Sequence, residues 1–212
     1  MNALNLIILG PQGSGKTTQA ELLAKKLGFA LFGAGDLLRE IAQEDTELGR
    51  AVHHTINLEG RLVQPELISQ IIKEKVEALP KDRGLILDGY PRTLTQYELF
   101  KKFWPETGRG DYRVVFIELS DEEALKRLIR RVTCEKCGAI YIEGTMEKCR
   151  KCGDRLVRRP DDTPEAIQRR LQSFYSETMP MIRAMDAEGK VLRTDGAASI
   201  DEVNRNILAK LN

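Results

Sequence analysis

The stretch Gly10-Pro11-Gln12-Gly13-Ser14-Gly15-Lys16-Thr17 matches the pattern G-x-x-x-x-G-K-[ST] at every fixed position. Its glycines permit a tight turn whose backbone N–H groups point inward, and the positive end of the following helix strengthens the attraction for anions. The pattern predicts a phosphate loop that binds ATP through Gly10, Gly13, Ser14, Gly15, Lys16 and Thr17. By itself the loop does not separate a kinase from a hydrolase or a motor.

The sequence predicts a strand directly before this loop and a helix directly after it. The apolar run Leu4 to Leu9 suits a strand buried on both faces, and Gly28 is placed to end the helix as a left-handed cap. Further short apolar runs alternate with helical segments, which favours right-handed crossovers. We therefore expect a P-loop NTPase-like three-layer α/β/α sandwich with a five-stranded parallel sheet, whose other strands are Ala30 to Phe32, Leu85 to Leu87, Val114 to Leu119 and Val191-Leu192.

Two segments do not fit this alternation. Residues 33–63 are helical and polar, and residues 131–162 contain all four cysteines. We interpret them as mobile lobes inserted into a core formed by residues 1–32, 64–130 and 163–212.

Helix starts are marked by hydroxyl side chains. Ser120 with Glu123 and Ser199 with Glu202 match the capping box, and Thr163-Pro164 places proline at a first helical position. In the helix that follows Ser120, Arg127, Arg130 and Arg131 are spaced to share one face, where like charges destabilise the helix unless an anion compensates them. A solvated basic face is the alternative.

Asp88 ends the apolar strand that begins near Leu85. A carboxylate at the carboxyl edge of a parallel sheet, beside a phosphate loop, can hold Mg²⁺ together with Thr17. Without the loop, a turn or capping role would be the more common reading of such an aspartate.

The cysteines form two Cys-x-x-Cys pairs, each followed by glycine. This spacing is typical of a structural zinc site with four thiolate ligands, which here would be Cys134, Cys137, Cys149 and Cys152. A redox Cys-x-x-Cys is the alternative, but a thioredoxin-like setting is lacking. Zinc would stabilise a lobe too small for a core of its own.

The overall composition is that of an ordinary globular protein. The net charge is +1, with 42% hydrophobic and 31% charged residues among 212. This balance gives no global attraction to nucleic acid or to an anionic membrane. The chain shows neither a membrane-spanning run nor a secretory leader, so we expect a cytoplasmic protein, with a monomer as the default.

Several separate segments resemble the adenylate kinase family of nucleoside monophosphate kinases, across nearly the whole chain. Asp88-Gly89-Tyr90-Pro91-Arg92 with Gln96 is similar to the signature D-G-[FY]-P-R-x-x-x-Q. Gly35-Asp36-Leu37-Leu38-Arg39 and Gly60-Arg61-Leu62-Val63 look like the monophosphate-side motifs. The remaining matches are Arg127, Arg131, Arg159 with Asp161-Asp162, and Arg170, together with the zinc-type lid.

The resemblance implies a reversible, Mg-dependent transfer of the γ-phosphate of ATP to AMP, giving two ADP. Arg39 and Arg92 would bind the acceptor phosphate, Gln96 would contact the acceptor base, and Arg127 would stack on the donor adenine. Arg131, Arg159 and Arg170 would neutralise the transferring phosphoryl group, with Lys16, Arg92 and Asp88 as further catalytic groups. The monophosphate site would comprise Ala34, Gly35, Arg39, Leu62, Val63, Gly89, Arg92, Gln96, Arg159 and Arg170.

Two departures from the family pattern bear on these expectations. Ala34 stands where the family often has threonine near the acceptor adenine, and UMP/CMP kinases frequently have alanine there. A kinase for UMP, CMP or several acceptors is thus the alternative, although Gln96 favours AMP. Only eleven residues separate Cys137 from Cys149, fewer than in the usual zinc-type lid.

The chemistry of this reaction fits the residues present. An acceptor phosphate is already ionised, so positioning and charge neutralisation suffice without a general base. The only histidines, His53 and His54, lie away from the motifs and are assigned packing or surface roles. Water must be excluded from the site, which calls for closing lobes. Less favoured alternatives are a P-loop ATPase or switch and a zinc-ribbon module that binds nucleic acid.

Overall fold

The computed structural model describes residues 4–59, 61–159 and 162–211. It contains a five-stranded parallel sheet with the strand order β2-β3-β1-β4-β8. The strands are β1 (Asn5–Leu9), β2 (Ala30–Gly33), β3 (Leu85–Asp88), β4 (Arg113–Glu118) and β8 (Val191–Asp195). All five predicted strands are therefore present, which confirms the expected fold class.

Helices cover both faces of this sheet and make it the middle of three layers. Their order along the chain follows the strand–helix alternation that the sequence predicts, with right-handed crossovers expected for parallel neighbours. The helices are α1 (Lys16–Leu27), α2 (Ala34–Ile41), α3 (Glu47–His53), α4 (Pro65–Glu77), α5 (Leu94–Phe103), α6 (Asp121–Ile129), α7 (Pro164–Ser173), α8 (Met179–Ala187) and α9 (Ile200–Leu211).

Alternating residues of the central strand supply two separate cores. Leu6 and Ile8 of β1 pack with Leu23 of α1 and Val203 of α9. Ile7 and Leu9 face the opposite side, in a cluster that includes the aromatic residues of α5 and the methionines of α8. Because both faces of β1 are covered, the strand is apolar throughout, as expected for the centre of a parallel sheet.

Parallel register brings the carboxyl ends of three strands together. Ile8 of β1 and Gly33 of β2 both lie opposite Asp88 of β3. The phosphate loop leaves β1 directly beyond this edge. The sheet therefore places Asp88 beside the loop, as the sequence predicts.

The cysteine-containing segment forms a small antiparallel sheet of its own. Its strand order is β6-β5-β7, from β5 (Arg131–Cys134), β6 (Ile140–Ile142) and β7 (Leu156–Val157). Cys134, Ala139 and Cys149 form the buried hydrophobic cluster of this segment, which is a very small core.

The helix after Ser120 is shorter than predicted, and the prediction that Arg127, Arg130 and Arg131 share one helical face is wrong. Helix α6 ends at Ile129, and Arg131 begins β5 opposite Ile142. The Arg130 carbonyl accepts a hydrogen bond from the Glu143 backbone at 2.6 Å, so pairing with β6 replaces the next helical turn.

The predicted helix caps are present, but among the described residues neither Glu123 nor Glu202 returns the bond of a full capping box, and Glu123 accepts from Arg127 instead. The Ser120 hydroxyl accepts from the Glu123 backbone, the Thr163 hydroxyl from that of Ala166, and the Ser199 hydroxyl from that of Glu202. In the part of the chain that the structure describes, no helix is both long enough and apolar enough to cross a bilayer.

Candidate active site

The phosphate loop encloses the amino end of α1. Gly13 and Gly15 have φ values of 82° and 86°, in the left-handed region where a side chain would be strained. This conformation turns successive backbone N–H groups toward the space in front of the loop. Lys16 Nζ folds back and donates to the Pro11 carbonyl at 3.3 Å.

Thr17 and Asp88 form a direct contact at this end of the sheet. The Thr17 hydroxyl donates to Asp88 Oδ2 at 2.6 Å. Asp88 is buried, and its other oxygen, Oδ1, has no hydrogen-bond partner within the described residues. Burial raises the pKa of Asp88, against the opposing effects of Lys16 and the Thr17 hydrogen bond. An orphaned carboxylate oxygen next to a hydroxyl is a donor set suited to a hard cation.

A cavity of about 270 Å³ opens in front of the loop. Residues from the sheet edge, α2, the segment before α4, the cysteine lobe and α7 all contribute to its wall. Of the sequence-predicted site residues it brings together Gly10, Lys16, Thr17, Gly35, Arg39, Leu62, Val63, Asp88, Gly89, Arg92, Arg131, Arg159 and Arg170.

The cavity is strongly cationic. Burial, reinforced by neighbouring guanidinium groups, lowers the pKa of Arg159 and of Arg170 to about 10 in each case. Burial likewise lowers the pKa of Lys16 to about 8, although the Asp88 carboxylate opposes this shift. So many close cations disfavour one another's charge, and a bound polyanion would relieve that repulsion.

Carboxylates hold several of these arginines in place. Arg131 makes a two-point ion pair with Asp162 at 2.8 and 2.5 Å. Arg170 donates to Asp162 at 3.4 Å and to the Gln12 side chain at 3.0 Å. Arg39 pairs with Asp36 on α2. Gly60 and Asp161, which belong to the predicted motifs, lie outside the described residues.

The Arg92 loop is fixed by internal hydrogen bonds. Arg92 Nε donates to the Gly89 carbonyl at 2.7 Å, and the Arg92 backbone donates to Gln96 Oε1 at 2.7 Å. Burial lowers the pKa of Arg92. The sequence predicts that Gln96 and Ala34 belong to the monophosphate site. Both are buried, and neither lines the 270 Å³ cavity.

A second cavity, of about 870 Å³, lies on the other side of the phosphate loop. Gly13, Ser14 and Gly15 line it with Arg127. Most of the remaining wall is apolar and comes from α6, β6 and α9: Leu128, Ile129, Ile140, Ile142, Ile200 and Val203.

Arg127 is anchored at the wall of this second cavity. Its Nε donates to Glu123 at 2.8 Å, and its Nη1 donates to the Gly196 carbonyl at 2.9 Å. The guanidinium plane is thereby fixed, which suits stacking on a flat ring.

The two cavities share part of their walls. Lys16, Thr17 and Arg131 line both of them, as does Ile140. The arrangement can therefore hold two anionic ligands end to end, with cations at their junction.

The four cysteines form one cluster. All four sulfur atoms lie within 4.8 Å of one another, with Cys134 and Cys152 at 3.3 Å and Cys137 and Cys149 at 3.4 Å. Four thiolates around zinc at about 2.3 Å would be about 3.8 Å apart, which falls within this range. Although desolvation raises the pKa of Cys149, hydrogen bonds led by that from Tyr141 outweigh it and bring the pKa to about 6. The cluster fits a zinc site.

Some residues of the first cavity were not found from the sequence. They include Gln12, Glu21, Leu38, Ile56, Ser173, Phe174 and Thr178. Gln12 and Leu38 lie inside quoted motifs without a role of their own, and the other five have no motif to mark them.

Comparison with known proteins agrees with this geometry. Residues 8–190 match the family model described as adenylate kinase. The chain is 37% identical over 211 residues to an adenylate kinase of Dehalococcoides mccartyi strain BAV1, covering 98% of this chain and 97% of that one. It is 39% identical over 204 residues to an adenylate kinase of Chlamydia pneumoniae, covering 95% and 94%, and 36% identical over 215 residues to one of Rhizobium etli, covering 99% of each. The chain belongs to the adenylate kinase family and is a nucleoside monophosphate kinase, a phosphotransferase.

Proposed function

We propose that this protein transfers the γ-phosphate of ATP to AMP, reversibly and with Mg²⁺, giving two ADP. The observation that carries the proposal is the junction of two cavities at Lys16, Thr17 and Arg131. A hydrolase needs one nucleotide site, whereas two facing sites let one nucleotide phosphorylate another.

The donor occupies the 870 Å³ cavity in this proposal. Its phosphates lie against the backbone of the loop and Lys16, while the adenine rests on Arg127 among the apolar residues of α6 and β6. An apolar cavity with one fixed guanidinium suits a purine ring.

The acceptor occupies the 270 Å³ cavity, with its phosphate between Arg39 and Arg92. Gly35, Gly89, Leu62 and Val63 complete its wall. Gln96 is buried outside this wall, so closure of residues 33–63 would have to bring the base to it. Its Oε1 already accepts from the Arg92 backbone, which leaves its amide N–H groups to donate to a ring nitrogen of the base. Ala34 offers no side-chain hydrogen bond, which leaves AMP favoured by Gln96 and makes CMP and UMP the competing acceptors.

Thr17 and Asp88 would hold Mg²⁺, and the orphaned Oδ1 of Asp88 is the observation that supports this assignment. When bound, the cation would neutralise charge on the donor's phosphate oxygens.

Catalysis rests on position and charge. The phosphoryl group would be stabilised during its transfer by five cations, which are Lys16, Arg92, Arg131, Arg159 and Arg170. Asp162 and Gln12 already hold Arg131 and Arg170, and backbone carbonyls hold Arg92 and Lys16. Little reorganisation of these four groups is therefore needed when the phosphate arrives. We assign Arg92 and Arg159 contacts with the acceptor phosphate as well.

Two lobes would close over the reacting groups and exclude water. These are residues 33–63 at the acceptor side and residues 131–162 at the donor side, the latter stabilised by zinc on Cys134, Cys137, Cys149 and Cys152. Thiolates used as metal ligands suit a reducing compartment such as the cytoplasm. A monomer contains both cavities, so the reaction does not require a second chain.

A panel of acceptors tests the proposal. Purified protein with Mg-ATP is offered AMP, CMP, UMP and GMP in turn, and diphosphate formation is followed by a coupled assay. We expect AMP to give the highest kcat/KM. A higher kcat/KM with CMP or UMP would overturn the assignment of AMP, and inertness with all four would overturn transfer itself.

A further inference from the structure

A π-helical turn joins α7 to α8. It spans Phe174–Thr178, and the Met179 backbone donates to the Phe174 carbonyl five residues earlier. In an unbroken α-helix, positions 170 and 178 would be about 80° apart around the axis. The extra residue of a π-helical turn removes about one step of 100°, so Thr178 comes within about 20° of the direction of Arg170.

The cavity wall agrees with this rotation. Arg170, Ser173, Phe174 and Thr178 all line the 270 Å³ cavity. Positions 170, 173, 174 and 178 lie on one side of a regular helix, with 178 at the margin about 80° from 170. The π-helical turn moves Thr178 from that margin toward the direction of Arg170, and so further toward the cavity.

The hydroxyl of Thr178 is a polar group without an assigned partner. Thr178 is only 6% exposed, and its Oγ1 has no hydrogen-bond partner in the described part of the chain. Among the described residues, Thr178 Oγ1 does not belong to the side-chain atoms that are both sealed from solvent and without a hydrogen bond, so this oxygen retains access to open space. The open space beside Thr178 is the cavity.

The neighbouring side chains of the cavity indicate which part of a ligand the Thr178 hydroxyl would contact. The arginines of the cavity are sufficient for an anionic phosphate, and a neutral hydroxyl adds little to them. The wall also contains Leu38, Ile56, Val63 and Phe174, which suit a nucleoside. A hydroxyl among such residues can donate to or accept from a sugar hydroxyl or a base edge.

We propose that Thr178 is a specificity-determining residue that hydrogen-bonds the nucleoside moiety of the acceptor. This inference rests on the proposed function, because it assigns the 270 Å³ cavity to the acceptor. It gives that site a hydroxyl, which Ala34 does not supply.

The test uses two substitutions of the full-length protein and the best acceptor from the panel. Thr178→Val keeps the shape and removes the hydroxyl, whereas Thr178→Ser keeps the hydroxyl. We expect T178V to raise the acceptor KM about tenfold and to change the ATP KM less than twofold, since a buried hydrogen bond to a ligand is lost. T178S restores the acceptor KM to within about threefold of the wild type.

A 2′-deoxy acceptor separates the two sources of the ligand hydrogen bond. If Thr178 contacts the sugar hydroxyl, T178V loses its penalty with the deoxy acceptor. If it contacts the base, the penalty is unchanged. Thr194→Val is the matched control, because Thr194 is a buried threonine with an unpartnered hydroxyl that lines neither cavity.

An acceptor KM unchanged in T178V would overturn the inference, as would equal increases in both KM values together with a lower melting temperature. Failure of the proposed function is distinguishable, because in that case the wild-type protein itself would show no transfer that depends on a monophosphate.

Discussion

Arg170 shows how a single residue connects the fold with the proposed chemistry. It lies on α7, yet its guanidinium donates to Gln12 in the phosphate loop, 158 positions earlier, and to Asp162. Burial lowers its pKa to about 10, so it remains charged at neutral pH. The fold thus holds a cation at the wall of the 270 Å³ cavity through contacts that reach both the phosphate loop and the cysteine lobe.

Arg170→Lys is expected to reduce kcat about 100-fold while changing the melting temperature by only a few degrees. Lysine keeps the charge, but it cannot reach Gln12, Asp162 and a phosphate together with a planar fork. Steady-state kinetics and thermal unfolding measure the two effects. Arg169→Lys, on the exposed neighbouring position, is the control and should leave both unchanged. A kcat within twofold of the wild type for R170K would contradict the role assigned to Arg170.

At the residue scale, motif spacing predicts which residues belong to the site better than it predicts the local geometry of each residue. The phosphate loop and most of the predicted arginines come together in one cavity: Arg92 follows β3, Arg131 begins β5, and Arg39 and Arg170 lie on α2 and α7. Sequence reasoning does not single out Thr178, because no motif contains it. Arg131 was assigned to a helix, but strand pairing with Ile142 determines its place.

At the scale of elements, Arg109 fixes the end of α4. It is 2% exposed, and its side chain donates to the carbonyls of Val76, Leu79, Pro80 and Arg83. These carbonyls lie at or just beyond the negative end of the helix, where a cation is favoured. The residue connects α4 to the segment before β4.

Arg109→Met should lower the free energy of unfolding by about 3 kcal/mol, because the buried carbonyl of Val76 and three partly buried carbonyls lose their donor. Urea unfolding followed by the fluorescence of Trp104, whose indole donates to Gly110 nearby, measures the change. Arg113→Met, at an exposed position of β4, is the matched control and should change the free energy by less than about 0.5 kcal/mol. If R109M and R113M unfold at the same urea concentration, the hydrogen bonds of Arg109 contribute nothing to the free energy of unfolding.

The cysteine lobe is the element whose stability should depend on metal. Purified protein is expected to contain one zinc per chain, and chelation should increase hydrogen exchange in residues 131–159 while β1 and β3 stay protected. Cys149→Ser should have the effect of chelation. Tyr141→Phe, which removes a contact to Cys149 but no thiol, should retain the metal. Metal-free protein with an equally protected lobe would contradict the zinc assignment.

Elements were predicted better at their centres than at their ends. All five strands of the parallel sheet follow from apolar runs between turn signals, since a strand covered on both faces has a strong signature. The lobe strands β6 and β7 were not predicted, because three-residue and two-residue strands in a polar segment have little hydrophobic pattern. Their pairing depends on the cysteine cluster, which is a tertiary feature.

At the scale of the whole molecule, an ion pair connects the cysteine lobe to helix α1 of the core. Lys151 Nζ, between the last two cysteines, lies 2.9 Å from Glu21 on α1. Glu21 also lines the 270 Å³ cavity. Sequence spacing cannot reveal such a contact between residues 130 positions apart.

Reversing either charge should weaken ATP binding twofold to threefold at low ionic strength. An exposed pair of this kind contributes less than about 1 kcal/mol, and salt screens it. The double variant Lys151→Glu, Glu21→Lys should restore the affinity, whereas Lys136→Glu, a lid lysine in the other cysteine pair, should leave it unchanged. Titration calorimetry at low and high salt provides the comparison. Strictly additive effects of K151E and E21K would show that the pair does not hold the lobe.

The central claim concerns the molecule as a unit: two cavities meet at one phosphate loop so that a phosphoryl group passes between nucleotides and not to water. Its most direct test follows the label from ATP labelled in the γ-phosphate, with and without AMP. We predict that with AMP nearly all the label that leaves ATP appears in ADP, and that without AMP little inorganic phosphate is released. Release of labelled inorganic phosphate at the same rate in both conditions would contradict the account.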